Sequence, residues 1–186
     1  RQDWALGLDE HGRPIRAPGK LPSVEGTVVA PPVTGGTNWW SPSYSPRTGL
    51  FYVLAYDSEA KYFVRPQDYQ RGEPFRGGGS QAVAPTEKYS SWVRAIDPTT
   101  GERKWQFQVA PTSRSGLLAT EGDVVFGGSI DGYFYALDAN TGDELWHIPV
   151  GARVQSAPIS YMVDGVQYVS IAAGNVVFTF GLQSMR

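Results

Sequence analysis

Cysteine is absent from all 186 residues, so disulfide staples, thiolate nucleophiles and cysteine-ligated zinc are excluded. Histidine is almost as scarce. The two present, His11 and His147, lie far apart and neither sits in a carboxylate cluster with ligand spacing, so each reads as a surface or strand residue and no metal site is expected. No apolar run reaches about 18 residues, which excludes a membrane-spanning helix. Positive charge is not in excess either: 16 basic against 18 acidic residues gives 16 − 18 = −2, with no basic stripe. Nucleic acid and anionic membrane are therefore poor partners. The chain opens Arg-Gln-Asp-Trp, without initiator Met or signal peptide, and is expected to be a fragment or processed product of something longer.

What is present points to strands. Hydrophobic residues make up 41% and charged residues 18%, enough for one folded domain with a core. With 22 Gly, 14 Pro and 13% aromatics, turn formers and β-preferring rings are both abundant, which favours many short strands over helices.

The stretch from Gly35 to Tyr44, Gly-Gly-Thr-Asn-Trp-Trp-Ser-Pro-Ser-Tyr, sets a side-chain amide beside two indoles. In an extended segment Trp39 and Trp40 would point to opposite faces, one into a core and one elsewhere. Two readings stand open: a Trp-rich core strand entered through a glycine turn, or the wall of a pocket for a flat, polar, aromatic ligand.

An internal repeat organises the remainder. Ala95 to Trp105 and Ala136 to Trp146 share the frame Ala-x-Asp-x-x-Thr-Gly-x-x-x-Trp at an offset of 41 residues. A period near 40 with strand periodicity is the spacing of β-propeller blades, each a four-stranded sheet. Asp97 and Asp138 are expected to accept bonds from turn amides, Thr100 and Thr141 to do likewise, and Gly101 and Gly142 to take positive φ. Trp105 and Trp146 would then pack between neighbouring blades, which makes the two acids structural and not a catalytic pair. The reading is all-β, about three consecutive blades with the last one incomplete. Residues 1–36 form a connector or loop with a possible outer strand of a preceding blade. Residues 37–110 form a blade with an inserted loop at 57–88, residues 111–150 a second, and 151–186 an incomplete last blade. The remaining blades are expected from the same polypeptide or from a partner chain, because so few cannot close a ring.

The repeat resembles the tryptophan-docking motif of the pyrroloquinoline quinone (PQQ)-dependent alcohol dehydrogenases. The Gly35–Tyr44 stretch, continuing into Thr48-Gly49-Leu50-Phe51-Tyr52-Val53, is similar to a segment that follows their catalytic region. The resemblance runs from about Trp4 to Leu182. It implies an eight-bladed propeller in the full-length protein, holding PQQ with a calcium or lanthanide ion, oxidising an alcohol in the periplasm and passing electrons to cytochrome c or a similar acceptor. Asn38 and Trp39 match the family's cofactor-contacting pair, and Trp40 is assigned to the blade core. Asn175 and Val176, after Ala173-Gly174, match a strand connection that reaches the cofactor in relatives, although the local pattern departs from the Gly-Gly-Trp of some of them. The family's metal-binding Glu and Asn, catalytic Asp, adjacent cysteines and quinone-polarising Arg or Lys have no counterpart here. The resemblance therefore implies metal ligands outside this chain, no catalytic residue within it, and no activity for the chain by itself. The alternative is a non-enzymatic propeller of the outer-membrane assembly type, binding peptide segments with the same repeat.

Overall fold

A computed structural model of the protein describes residues 2–83 and 89–181. Among these the regular elements are strands, grouped in five sheets, without a helix. The chain divides into two compact units, residues 1–36 with 56–89 and residues 37–55 with 90–186.

In the first unit, β1 (Ala5–Leu8) and β2 (Pro14–Arg16) pair as a hairpin. Its turn is held by Asp9, whose Oδ1 accepts from the backbone N–H of His11 at 2.9 Å and of Arg13 at 2.8 Å. A second sheet has the order β3 (Thr27–Val29), β6 (Ala60–Val64), β7 (Gly78–Ala82). The last two lie within residues 57–88, the stretch read from the sequence as an inserted loop. The Gly-Gly-Gly-Ser run reads as flexible, yet Gly78 and Gly79 lie in β7 opposite Val64 and Phe63. A Cβ on Gly78 would strike the Phe63 carbonyl, and one on Gly79 would stand 3.0 Å from the Phe63 ring. Glycine here permits close approach of two strands. Residues 84–88, the end of the expected loop, lie outside the described residues.

The second unit contains three sheets in succession. The first has the order β4 (Ser43–Ser45), β5 (Leu50–Asp57), β8 (Ser90–Ile96), β9 (Arg103–Val109). The second runs β10 (Leu118–Ala119), β11 (Val124–Gly128), β12 (Tyr133–Asp138), β13 (Glu144–Pro149). The third runs β14 (Ile159–Val163), β15 (Val166–Ala173), β16 (Val176–Gly181). Strand alternation decides which faces meet: on β8, Ser91, Val93 and Ala95 are buried while their neighbours are only half so. These are consecutive β-propeller blades, two of four strands and one of three.

The repeat turns superpose in their bonding. The Asp97 carboxylate accepts from the Thr99 N–H at 2.9 Å, and that of Asp138 accepts from Asn140 at 2.8 Å and Thr141 at 3.0 Å. Thr100 and Thr141 each accept from the amide two residues on, both at 3.2 Å. Gly101 and Gly142 take φ of 75° and 79°. Trp105 then leaves its own sheet: its indole N–H donates to the Ala139 carbonyl at 3.0 Å, and its ring lies on Gly142. The Tyr52 hydroxyl donates to the same carbonyl at 2.9 Å. Between the second and third sheets lies an apolar core of Phe134, Val150, Val154, Val169, Ile171 and Ala173. Trp146 borders it, 5.8 Å from the Phe134 ring and 5.4 Å from that of Phe180, but stays 39% exposed.

Candidate functional site

The Gly35–Tyr44 stretch does not enter a strand at its two tryptophans. Residues 37–42 bend, and pairing starts only at Ser43. Local chemistry explains the delay. The Asn38 side-chain oxygen accepts from the adjacent Trp39 backbone N–H at 2.8 Å, a local bond that takes this donor from a ladder, and Pro42 has no N–H to offer one. The two indoles consequently do not part to opposite faces. Their centroids are 5.3 Å apart with a 32° tilt, forming one aromatic step. Trp40 is half-buried, whereas Trp39 is 78% exposed, an unusual degree for the largest apolar side chain.

The bend is not loose, because its backbone is bonded to the next sheet. The Leu117 N–H donates to the Ser41 carbonyl at 2.9 Å, and the Ala119 N–H to the Ser43 hydroxyl at 2.9 Å. One sheet further on, the Gly116 N–H and the Ser115 hydroxyl both donate to the Ser156 carbonyl, at 3.3 and 2.9 Å. A Cβ on Gly116 would stand 2.5 Å from that of Ala157, so the loops touch backbone to backbone. Three loops, each leading into the first strand of its sheet, are thereby joined.

Asn175 and Val176 connect to the same assembly. Asn175 sits with Gly174 in the two-residue turn between β15 and β16, and Val176 opens β16. The Gly174 N–H donates to the Arg153 carbonyl at 3.1 Å, and Ala173 bridges Val154. Both candidates are exposed. Hydrogen bonds thus run from the Asn38–Trp39 bend through the 113–117 and 152–156 loops to the turn carrying Asn175.

Arg114 was not singled out by sequence. Its guanidinium lies over the Trp40 ring, 5.9 Å from the centroid, within the range of a cation–π contact. The signal was positional: Trp39 and Arg114 each stand four residues before the first strand of their sheets.

Chemically, the cluster can hold but not transform. Thr37–Pro42, Ser113–Leu117, Ala152–Ser156 and Gly174–Val176 contain no Asp, Glu or His, hence no group for proton transfer near neutral pH. They do offer an exposed indole, three side-chain amides (Asn38, Gln155 and Asn175) and two guanidinium groups (Arg114 and Arg153), a set suited to a flat ligand with carbonyl and carboxylate groups. Among the described residues no group of three or more His, Asp or Glu stands ready for a metal.

Cavities lie elsewhere among the described residues of this unit. A cleft of 540 Å³ between the second and third sheets is apolar, lined by Phe126, Phe134, Leu145, Trp146, Val169 and Phe180 among others. A smaller one of 230 Å³ between the first and second sheets contains Asp131, Glu144 and His147. His147, on β13, bonds Glu144 at 2.6 Å across an exposed surface. The Tyr135 phenol borders that cavity but has no hydrogen-bond partner among the described residues, and burial pushes its pKa up.

Comparison with known proteins adds a second line of support. A family described as outer membrane protein assembly factor BamB matches residues 90–181. Over 180 residues, 92% of this chain, the sequence is 36% identical to a quinoprotein alcohol dehydrogenase, PedE, of Pseudomonas putida, covering 28% of that enzyme. The fold is similar to that of the quinohemoprotein alcohol dehydrogenase ADHIIG of Pseudomonas putida HK5, with a TM-score of 0.85 and 31% identity over 95% of this chain and 28% of the other. A europium-containing methanol dehydrogenase matches at a TM-score of 0.81 and 28% identity, over 92% of this chain and 31% of its own. The chain thus spans less than a third of the length of each of these dehydrogenases.

Proposed function

Because this chain is a homologue of the quinoprotein alcohol dehydrogenases over nearly its whole length, we propose that it forms part of the PQQ-binding propeller of such an enzyme. The observation that carries the reading is the bend at residues 37–42: an indole 78% exposed, next to a side-chain amide, on a backbone tied to the next sheet. A largely exposed tryptophan held in place contributes little to folding and suits a planar ligand. The residues present fit PQQ, a flat aromatic o-quinone carrying carboxylates. When bound, PQQ supplies the hydride acceptor for alcohol oxidation, which no side chain of this sequence can replace.

Within that reading each residue has a limited role. Trp39 offers a face for the ring system, and the Asn38 amide an edge for its polar groups. Asn175 and Val176 border the same end of the unit from the third sheet. The calcium or lanthanide ion would be held by residues outside this sequence, as would the catalytic carboxylate, and the chain by itself would be inactive. The assignment of residues 37–110, 111–150 and 151–186 to successive blades belongs to the same proposal, with the remaining blades from the same polypeptide or a partner. So do a periplasmic location and electron transfer to a cytochrome.

A second reading is favoured by one observation, the match of residues 90–181 to an outer membrane assembly factor. That reading is a scaffold that binds peptide segments. The match begins beyond the Gly35–Tyr44 bend, in the part that carries the 41-residue repeat. The similarity to alcohol dehydrogenases includes the bend, so the enzyme reading accounts for more of the chain.

The test uses the intact protein, reconstituted with PQQ and either calcium or a lanthanide. It is expected to reduce an artificial electron acceptor when given a primary alcohol. Failure to bind PQQ, together with capture of extended peptides, would favour the scaffold instead.

A further inference from the structure

Resting on the PQQ reading, we propose that Arg114 is a cofactor-binding residue whose guanidinium meets a carboxylate of the bound quinone. Three observations converge on it. First, the 113–117 loop is bonded directly to the Trp39–Trp40 bend through the Leu117 N–H and the Ser41 carbonyl, at 2.9 Å. Second, the Arg114 guanidinium lies over Trp40, whose ring is itself 5.3 Å from that of Trp39. Exposed plane, half-buried plane and cation therefore form one continuous strip. Third, among the described residues no carboxylate forms an ion pair with Arg114, whereas Arg47 engages Asp123 with two nitrogens, at 3.0 and 3.1 Å.

The physical argument is one of complementarity. Stacking on an indole orients a guanidinium and lowers the entropy lost when it engages an anion. A planar fork presents paired N–H donors matched to a carboxylate, which an amide or an ammonium does less well. An aromatic ligand lying on Trp39 would carry its ring over apolar surface and needs a cation for any carboxylate at its margin. Arg114 is the cation of the loops bonded to that bend on the side of the second sheet. Its backbone neighbours fix it: Ser113 and Ser115 are fully buried, and the Ser115 hydroxyl donates to the Ser156 carbonyl.

The inference predicts a charge effect separable from packing. Apo-protein in its intact form is dialysed to equilibrium against PQQ and, separately, against the uncharged PQQ trimethyl ester. Arg114→Gln, which keeps a stem on Trp40 but removes the charge, is expected to weaken PQQ about tenfold, as for loss of a charge-assisted bond. Arg114→Lys should recover part of that loss, the Gln effect should shrink in high salt, and the ester should bind wild type and Arg114→Gln alike. Equal weakening of PQQ and ester would mean that Arg114 only packs, and an unchanged PQQ affinity would remove it from the site; either result overturns the inference. Trp39→Ala separates the two levels. If it weakens PQQ while Arg114→Gln does not, the PQQ reading stands and this inference falls. If neither variant alters PQQ binding, the PQQ wall itself is wrong.

Discussion

Trp105 shows how a single side chain joins two sheets, and its energetics can be stated. Its indole N–H and the Tyr52 hydroxyl share the Ala139 carbonyl, at 3.0 and 2.9 Å. Removing one donor leaves that carbonyl bonded to the other, so Trp105→Phe should cost no more than about 1–2 kcal/mol in a urea titration. Trp105→Ala also opens a cavity and should cost about 3–5 kcal/mol. Tyr135 behaves oppositely, because its buried hydroxyl bonds nothing among the described residues. Tyr135→Phe is expected to be neutral or to stabilise by up to about 1 kcal/mol. Two carboxyls set a pH dependence. Hydrogen bonding from Thr99 holds Asp97 below its ordinary value of 3.8, and Arg47 does the same for Asp123. A depressed folded pKa contributes stability above the unfolded value and loses it as pH falls through the folded one. The unfolding midpoint should therefore drop on acidification below about pH 4, and less so in the Asp97→Asn, Asp123→Asn double variant. The repeat exposed the role of Asp97 and Trp105 in the sequence. It could not expose the orphaned hydroxyl of Tyr135, which depends on what the neighbouring sheet places around it.

At the scale of elements, the two repeat turns have the same backbone and different surroundings. Gly101 and Gly142 both take positive φ, but a Cβ on Gly101 would meet open space while one on Gly142 would stand 2.5 Å from the Trp105 ring. Gly101→Ala should cost about 1–2 kcal/mol for the left-handed backbone alone. Gly142→Ala should cost about 1–3 kcal/mol more, since Trp105 must move. Equal costs by thermal or chemical unfolding would deny Trp105 its place on that turn. The 41-residue offset made legible the turns that join β8 to β9 and β12 to β13. Two stretches were misread for identifiable reasons. In β7, glycines that resemble a linker are required where the strand crosses Phe63. At Trp39 and Trp40, apolar residues that resemble a strand are held out of the ladder by the Asn38 side chain and Pro42. The third sheet begins only at Ile159, because the Ser156 hydroxyl already satisfies Ala172 and Pro158 lacks an N–H.

For the molecule as a whole, the central claim is that one end of these sheets carries part of a quinone site. Asn38, Trp39, Asn175 and Val176 are marked by resemblance, and the loops that carry them are linked by hydrogen bonds through Ser41, Leu117, Gly116, Ser156 and Arg153. Arg114 escaped notice because an isolated arginine in a Ser-rich loop has no motif of its own; only its place before the first strand of its sheet and its contact with Trp40 distinguish it. The most direct measurement is the affinity of the intact apo-protein for PQQ, by equilibrium dialysis, with and without the Trp39→Ala substitution. A tight complex in the wild type, weakened about tenfold or more in Trp39→Ala with no change in the unfolding midpoint, is the predicted result. Equal PQQ affinity in both proteins, or none in either, would contradict it.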